Sequence, residues 1–377
     1  MSATYLDCNA TTPMEPAVRD VLLHYLTEEY GNEGSRTHAY GARAKQAVQR
    51  ARDQVAQLAG ARRDEVIFTS GATESNNLAL LGLRDAGLAA GKGHVVTTAI
   101  EHKAVLEPVD AMEQAGFAVT RLPVGTSGAV DPDDLAAALR PDTWLVSVMH
   151  VNNETGVRQP LADIAEALAD HPAYLHTDAA QGFGKDIDSL RHPRIDLVSV
   201  SGHKLYGPKG VGALIARRRG YERPQLRPLL VGGGQERGLR PGTLPVALIV
   251  ALGEACSLAE AQHASRADTC WAVRQQALSA FASLPARLIG DQDRVLPHVL
   301  NIAFEDLDSE ALMVALKDLI AISNGSACTS SSYEPSHVLR AMGLNDNEAN
   351  RCVRISWCHM TPSVDWGAVA QRIKNLL

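Results

Sequence analysis

The chain has 377 residues, of which 45 % are hydrophobic and 21 % charged, and its formal charge is −7. This length suggests about two domains, and the apolar share excludes disorder as the main state. With 36 basic against 43 acidic residues there is no global basic field to hold nucleic acid.

In chain order, Val18, Val21, Leu22 and Tyr25 mark the apolar stripe of one amphipathic helix. Ala44, Val48, Ala51, Val55 and Leu58 mark a second. From about 60 to 216, short β-rich runs alternate with helical periodicity. Strands are expected over 65–69, 94–98, 144–148, 174–176, 196–200 and 212–215. Between them, a helix over 161–168 puts Leu161, Ile164, Ala165 and Leu168 on one face. A long helix-favouring segment covers roughly 245–283. Beyond it lie strands 299–304 and 353–356 and helices 309–319, 334–342 and 364–376. This alternation predicts βαβ units and a mostly parallel sheet covered on both faces. The expected organisation is a large α/β domain over 15–257 and a smaller α+β domain built from 1–14 and 258–377.

No uncharged apolar stretch reaches the roughly 20 residues of a membrane helix. The first residues show no basic and apolar leader, so no secretory signal is expected. Six cysteines without a CxxC pair predict neither a disulfide framework nor a structural metal site, and a reducing cytoplasm fits them.

The chemistry concentrates at the ends of the expected strands. Ser201-Gly-His-Lys204 follows strand 196–200, and Lys204 has no charged neighbour except His203. A desolvated lysine is the usual nucleophile for an aldehyde, while a structural turn is the plainer reading. Lys209 is read as a solvated surface residue. Asp178 closes strand 174–176 in His176-Thr-Asp178-Ala-Ala-Gln181. Ligands bind at the carboxyl ends of parallel strands, so Asp178 and Lys204 could share a crevice. Together they meet two requirements of a pyridoxal phosphate site, a lysine for the aldehyde and a carboxylate for the ring nitrogen. A helix cap is the plainer use of Asp178.

Phe68-Thr-Ser-Gly71-Ala72-Thr73 runs from a strand through a glycine turn into a helix, whose free N–H groups attract phosphate. Thr73, Ser201 and His203 could add donors. His102 begins a helix after strand 94–98 and could stack on a planar ring; Asn153 follows strand 144–148. Each could equally be a satisfied loop or cap residue. Arg354 projects from strand 353–356, either into a site or to the surface. Cys328 sits among small polar residues, Ser323-Asn-Gly-Ser-Ala-Cys328-Thr-Ser-Ser-Ser-Tyr333, which describes an accessible thiol. Cys256, Cys270 and Cys352 read as small buried hydrophobes.

Taken together, Thr69-Ser-Gly-Ala-Thr-Glu-Ser-Asn-Asn77, Glu101-His102, His150-Val-Asn-Asn-Glu154, Asp178-Ala-Ala-Gln181, Ser201-Gly-His-Lys204, Gly232-Gly-Gly-Gln-Glu-Arg237 with Gly242-Thr243, and Gly325-Ser-Ala-Cys328 resemble the cysteine desulfurases. These are class V pyridoxal 5'-phosphate enzymes of fold type I. The resemblance spans nearly the whole chain, from Tyr5-Leu-Asp7 to Arg354-Ile-Ser356. It implies that Lys204 holds the cofactor and moves protons at the substrate α-carbon. Asp178 would pair with the pyridine nitrogen, Gln181 with the ring hydroxyl, and His102 would stack on the ring. Ala72, Thr73, Ser201 and His203 would line the phosphate, joined by Thr243 from the other subunit of a homodimer. Asn153 and Arg354 would hold the carboxylate of L-cysteine, and Cys328 would take its sulfur as a persulfide for an acceptor protein. Gly31–Gly41 and Glu101–Pro108 look closest to the DndA branch, which supplies sulfur for DNA phosphorothioation. A housekeeping iron–sulfur or tRNA-thiolation desulfurase and a selenocysteine lyase-like enzyme are the alternatives. No metal, direct nucleic-acid contact or membrane contact is expected.

Overall fold

The computed structural model describes residues 3–325 and 335–377. A short β1 (Thr4–Tyr5) leads to α1 (Pro16–Thr27) and α2 (Ala39–Ala59). Next come β2 (Val66–Thr69), α3 (Ala72–Ala89), β3 (His94–Thr98), α4 (Lys103–Gln114), β4 (Ala118–Leu122) and α5 (Pro132–Ala138). They are followed by β5 (Thr143–Ser147), α6 (Leu161–Ala167), β6 (Tyr174–Asp178), β7 (Leu197–Ser201) and β8 (Gly212–Ala216). The long α7 (Val246–Phe281) precedes β9 (Ala286–Leu288), β10 (Val299–Phe304), α8 (Ser309–Leu316) and β11 (Ile320–Ala321). The described chain closes with α9 (His337–Ala341), α10 (Asp346–Ala349), β12 (Cys352–Ser356) and α11 (Trp366–Lys374).

Seven strands form the main sheet, in the order β2-β8-β7-β6-β5-β3-β4. β8 runs antiparallel to both neighbours, and the remaining pairs are parallel. Successive strand residues face opposite sides. Val66, Val96, Val146 and Val198 pack into the core shared with α2, α6 and α7. Ile67, Val95, Leu145 and Leu197 pack with α3 and α4. Two-sided burial is why these strands read as apolar runs rather than alternating ones.

β4 was not anticipated. It is an edge strand paired only with β3, half-exposed, and Thr120 and Arg121 dilute its apolar pattern. Helix 309–319 stops earlier, at Leu316, because the chain must turn to pair Ile320-Ala321 with β1. The helix expected over 334–342 covers only His337–Ala341 of the described residues, and a separate turn of helix, α10, follows it.

A second core gathers Leu6, Phe281, Leu300, Ile302, Phe304, Trp357 and Trp366 around β10 and β12. Phe281 meets Phe304 and Trp366 edge-on, with ring centroids 5.7 Å apart in each pair. α7 joins the two cores: Cys256 and Ala259 belong to the first, Cys270, Ala277 and Phe281 to the second.

His176 ties the centre of the sheet together two residues before Asp178. Its Nδ1 lies 2.8 Å from Ser147 Oγ on β5, and its Nε2 lies 3.0 Å from Ser199 Oγ on β7. Burial pushes this imidazole from 6.5 down to about 4. The unfolded chain therefore takes up a proton that the folded chain refuses, and stability falls as pH drops from 6.5 towards 4. The full loss from this one group is on the order of 3 kcal/mol. Urea unfolding should show a steep decline in stability between pH 6.5 and 4.5 that is shallower in His176→Asn. Equal slopes in the two proteins would contradict this assignment.

Candidate active site

The carboxyl ends of the parallel strands open into one crevice of about 490 Å³. β2 delivers the Ser70-Gly71 turn and the first residues of α3. β3 delivers His102, β6 delivers Asp178 and Gln181, and β7 delivers Ser201, His203 and Lys204. Asn153 enters from the loop after β5, and Arg354 crosses from β12 of the smaller core. Ala72, Thr73, His102, Asn153, Asp178, Gln181, Ser201, His203, Lys204 and Arg354 thus all line one cavity. Thr243 is exposed and does not line it. Cys328 lies outside the described residues. Lys209, read as a solvated surface residue, is exposed and stands at the rim of the same cavity.

Asp178 is 5 % exposed. Its Oδ2 accepts from Asn76 Nδ2 at 2.7 Å and its Oδ1 from the Ala180 N–H at 2.9 Å. No helix starts at Asp178: the Ala180 bond closes a turn after β6, so Asp178 stands in the site without capping a helix. Lys204 Nζ donates to the main-chain carbonyls of Asn9 and Ala10, the latter at 2.8 Å. Gln181 Nε2 donates to the same Asn9 carbonyl at 2.9 Å, while its buried Oε1 has no partner among the described residues.

His102 caps α4, accepting the Ala104 N–H on Nδ1 at 3.0 Å. That bond leaves the proton of the neutral ring on Nε2. Burial holds the imidazole below its ordinary range, with Asp178 opposing and Lys204 reinforcing the shift. Next to it, burial pushes Glu101 up to about 8 even though Thr98 Oγ1 and the Met149 N–H both donate to its carboxyl. His203 is pushed down to about 4 by burial and by Lys204, Lys209 and Lys185. Its Nδ1 lies 3.1 Å from Thr11 Oγ1.

At the start of α3, Gly71 takes φ 153°, a conformation unsuited to L side chains, and no side chain caps the helix. A Cβ on Gly212 of β8 would come within 2.6 Å of Gly71 Cα, so the turn rests directly on the sheet. The uncapped N–H groups of α3 are left for an anion. Arg354 is 1 % exposed, yet its Nη2 lies 2.7 Å from Asp7 Oδ1 and its Nη1 donates to Asn153 O at 3.0 Å. Arg351, three residues earlier, is half-buried and pairs instead with Asp306.

Sequence reasoning missed Asn76, Asp7 and Asn9. Asn76 did carry a signal, since it lies three residues after Thr73 and so shares its helix face. Asp7 and Asn9 act on residues far away in the chain, and no local pattern marks them.

The aminotransferase class-V family matches residues 4–365. The cysteine desulfurase of Mus musculus is 48 % identical over 93 % of this chain and 76 % of that protein. Cysteine desulfurase IscS of Vibrio cholerae is 45 % identical over 96 % of this chain and 89 % of that protein. The crystal structure of DndA from Streptomyces lividans superposes with a TM-score of 0.83 at 51 % identity, covering 94 % of this chain and 99 % of that one.

Pyridoxal phosphate, the cofactor of this family, fits the residues present. A lysine and a buried carboxylate face the same cavity, and among the described residues the α3 N-terminus has no side-chain cap and buried Gln181 Oε1 has no donor. Asn76→Ala would strip Asp178 of a donor, and a bond to a charged group is worth about 1.5–3 kcal/mol. Titration of cofactor-free protein, followed by visible absorbance, should show pyridoxal phosphate binding weakened roughly tenfold or more in this variant. Unchanged affinity would remove Asn76 from the site.

Proposed function

The chain belongs to the cysteine desulfurases of the aminotransferase class-V family, and on that premise we propose how its residues divide the work. The observation that carries the reading is the meeting of Lys204, Asp178 and Arg354 in one crevice. Pyridoxal phosphate, when bound, supplies an electron sink for the substrate α-carbon. Asp178, fixed by Asn76 and the Ala180 N–H, keeps a proton on the ring nitrogen. Gln181 meets the ring hydroxyl, and the neutral His102 stacks without adding charge. Ala72, Thr73, Ser201, His203 and the first N–H groups of α3 hold the phosphate. Thr243, exposed in its own subunit, completes the phosphate site of a second copy in a homodimer.

L-cysteine is the substrate. Its carboxylate lies against Asn153 and Arg354, where a planar guanidinium suits the two oxygens. Lys204 moves the proton at the α-carbon. The Cys328 thiolate attacks the substrate sulfur: the Cβ–S bond breaks and an S–S bond forms. L-alanine leaves, and Cys328 carries the persulfide, so the atoms of cysteine and thiol are all accounted for. A thiol on an acceptor protein then takes the outer sulfur.

We place this sulfur in DNA phosphorothioation, supported by the higher identity to DndA (51 %) than to IscS (45 %). The IscS likeness is what favours a general iron–sulfur supply as the second reading. In Cys328→Ser, pyridoxal phosphate and cysteine should still bind, while alanine and sulfide release falls to background. Mass spectrometry of the native enzyme after brief exposure to cysteine should find one extra sulfur on the Cys328 peptide. Extra sulfur on a Cys8, Cys352 or Cys358 peptide, with Cys328→Ser still active, would overturn the assignment.

A further inference from the structure

The segment between β1 and α1 meets residues of the crevice from Asp7 to Thr12. Asp7 meets Arg354, the Asn9 carbonyl takes Lys204 and Gln181, and Thr11 meets His203. This strap is itself held in place. The Cys8 N–H donates to Ser356 O at 3.1 Å, the Asn9 N–H to Ser356 Oγ at 2.9 Å, and the Ser356 N–H to Leu6 O at 2.8 Å. Tyr5 Oη lies 2.9 Å from both Asp7 O and Thr11 O, bracing the strap across its bend. Asp7 is therefore locked to the same strand, β12, that carries Arg354.

Arg354 needs such a partner. Its side chain is 2 % exposed, and buried N–H donors left without acceptors are costly. Asp7 Oδ1 takes Nη2 at 2.7 Å and Asn153 O takes Nη1 at 3.0 Å. Arg354 Nε is buried and has no partner among the described residues. Two tethers thus fix the plane of the guanidinium and, among the described residues, leave Nε–H and the remaining Nη hydrogens uncommitted.

We propose that Asp7 is the positioning residue for Arg354, holding the guanidinium so that its uncommitted N–H groups receive the substrate carboxylate. The proposal rests on the reading that Arg354 binds that carboxylate. It separates placement from charge. Asp7→Asn keeps an acceptor oxygen beside Nη2 and removes only the charge. Asp7→Ala removes both.

The holoenzyme variants test it through the KM and kcat for L-cysteine, and through the Kd for the product L-alanine read from the visible spectrum. Asp7→Ala should raise the KM and the alanine Kd roughly tenfold or more, with kcat within about threefold and cofactor content unchanged. Asp7→Asn should stay within about threefold of wild type in all three. Arg354→Ala runs beside them. If it leaves both constants unchanged, the reading of Arg354 falls. If it raises them and Asp7→Ala does not, the role of Asp7 falls alone. An Asp7→Ala enzyme that loses kcat and cofactor together with KM would reduce Asp7 to a structural residue. An Asp7→Asn enzyme as weak as Asp7→Ala would make charge, rather than placement, its contribution.

Discussion

Everything in the crevice depends on β6 and β7 lying side by side and parallel. In that register Asp178 stands opposite Ser199, two residues before Ser201, and Lys204 follows one turn later. A carboxylate and an amine separated by a long stretch of chain are thereby aimed from the same sheet edge at the same space. The connection between the strands has to cross over, as parallel pairing requires. His176 holds the pair together by bridging serines on both flanking strands. A slip of one residue in either strand would turn Asp178 or Ser201 away from the crevice, because side chains alternate across a sheet.

Around that pair the protein manages charge by burial and pairing. The histidines nearest the crevice, His102 and His203, are both held below their ordinary range, so they stay neutral at neutral pH. Glu101 is pushed the other way, towards its protonated form. Arg354 is tied to Asp7, Glu74 to Arg240 and Asp178 to Asn76. In a space largely withdrawn from water, such fixed groups act on a bound ligand without reorganising first. Arg240 also brings the loop that carries Thr243 against the start of α3, where phosphate is expected.

Much of this was legible in the sequence, for a physical reason. Lys204, Asp178, Thr73 and His102 each follow a strand whose two-sided burial writes an apolar run, so the strand end and the residue beyond it can be read together. β4 was missed because an edge strand needs no such run, and β1, β9 and β11 are too short to show a pattern. Arg354 was ambiguous because strand alternation puts it opposite Val353 and Ile355. A second buried face, closed by the strap, was invisible locally. The strap itself gives no signal, since it acts through main-chain carbonyls and through contacts such as Asp7–Arg354 that join opposite ends of the chain. Thr243 drew notice only as part of a glycine-rich motif, and it does not line the crevice.

The account turns on Lys204 being the amine that holds the cofactor. Reducing the pyridoxal phosphate-loaded protein with borohydride makes that linkage permanent, and peptide mapping then locates it. The account predicts a single pyridoxyl group on the peptide containing Lys204. A label on Lys209, which shares the cavity, or on the half-buried Lys185 would contradict it.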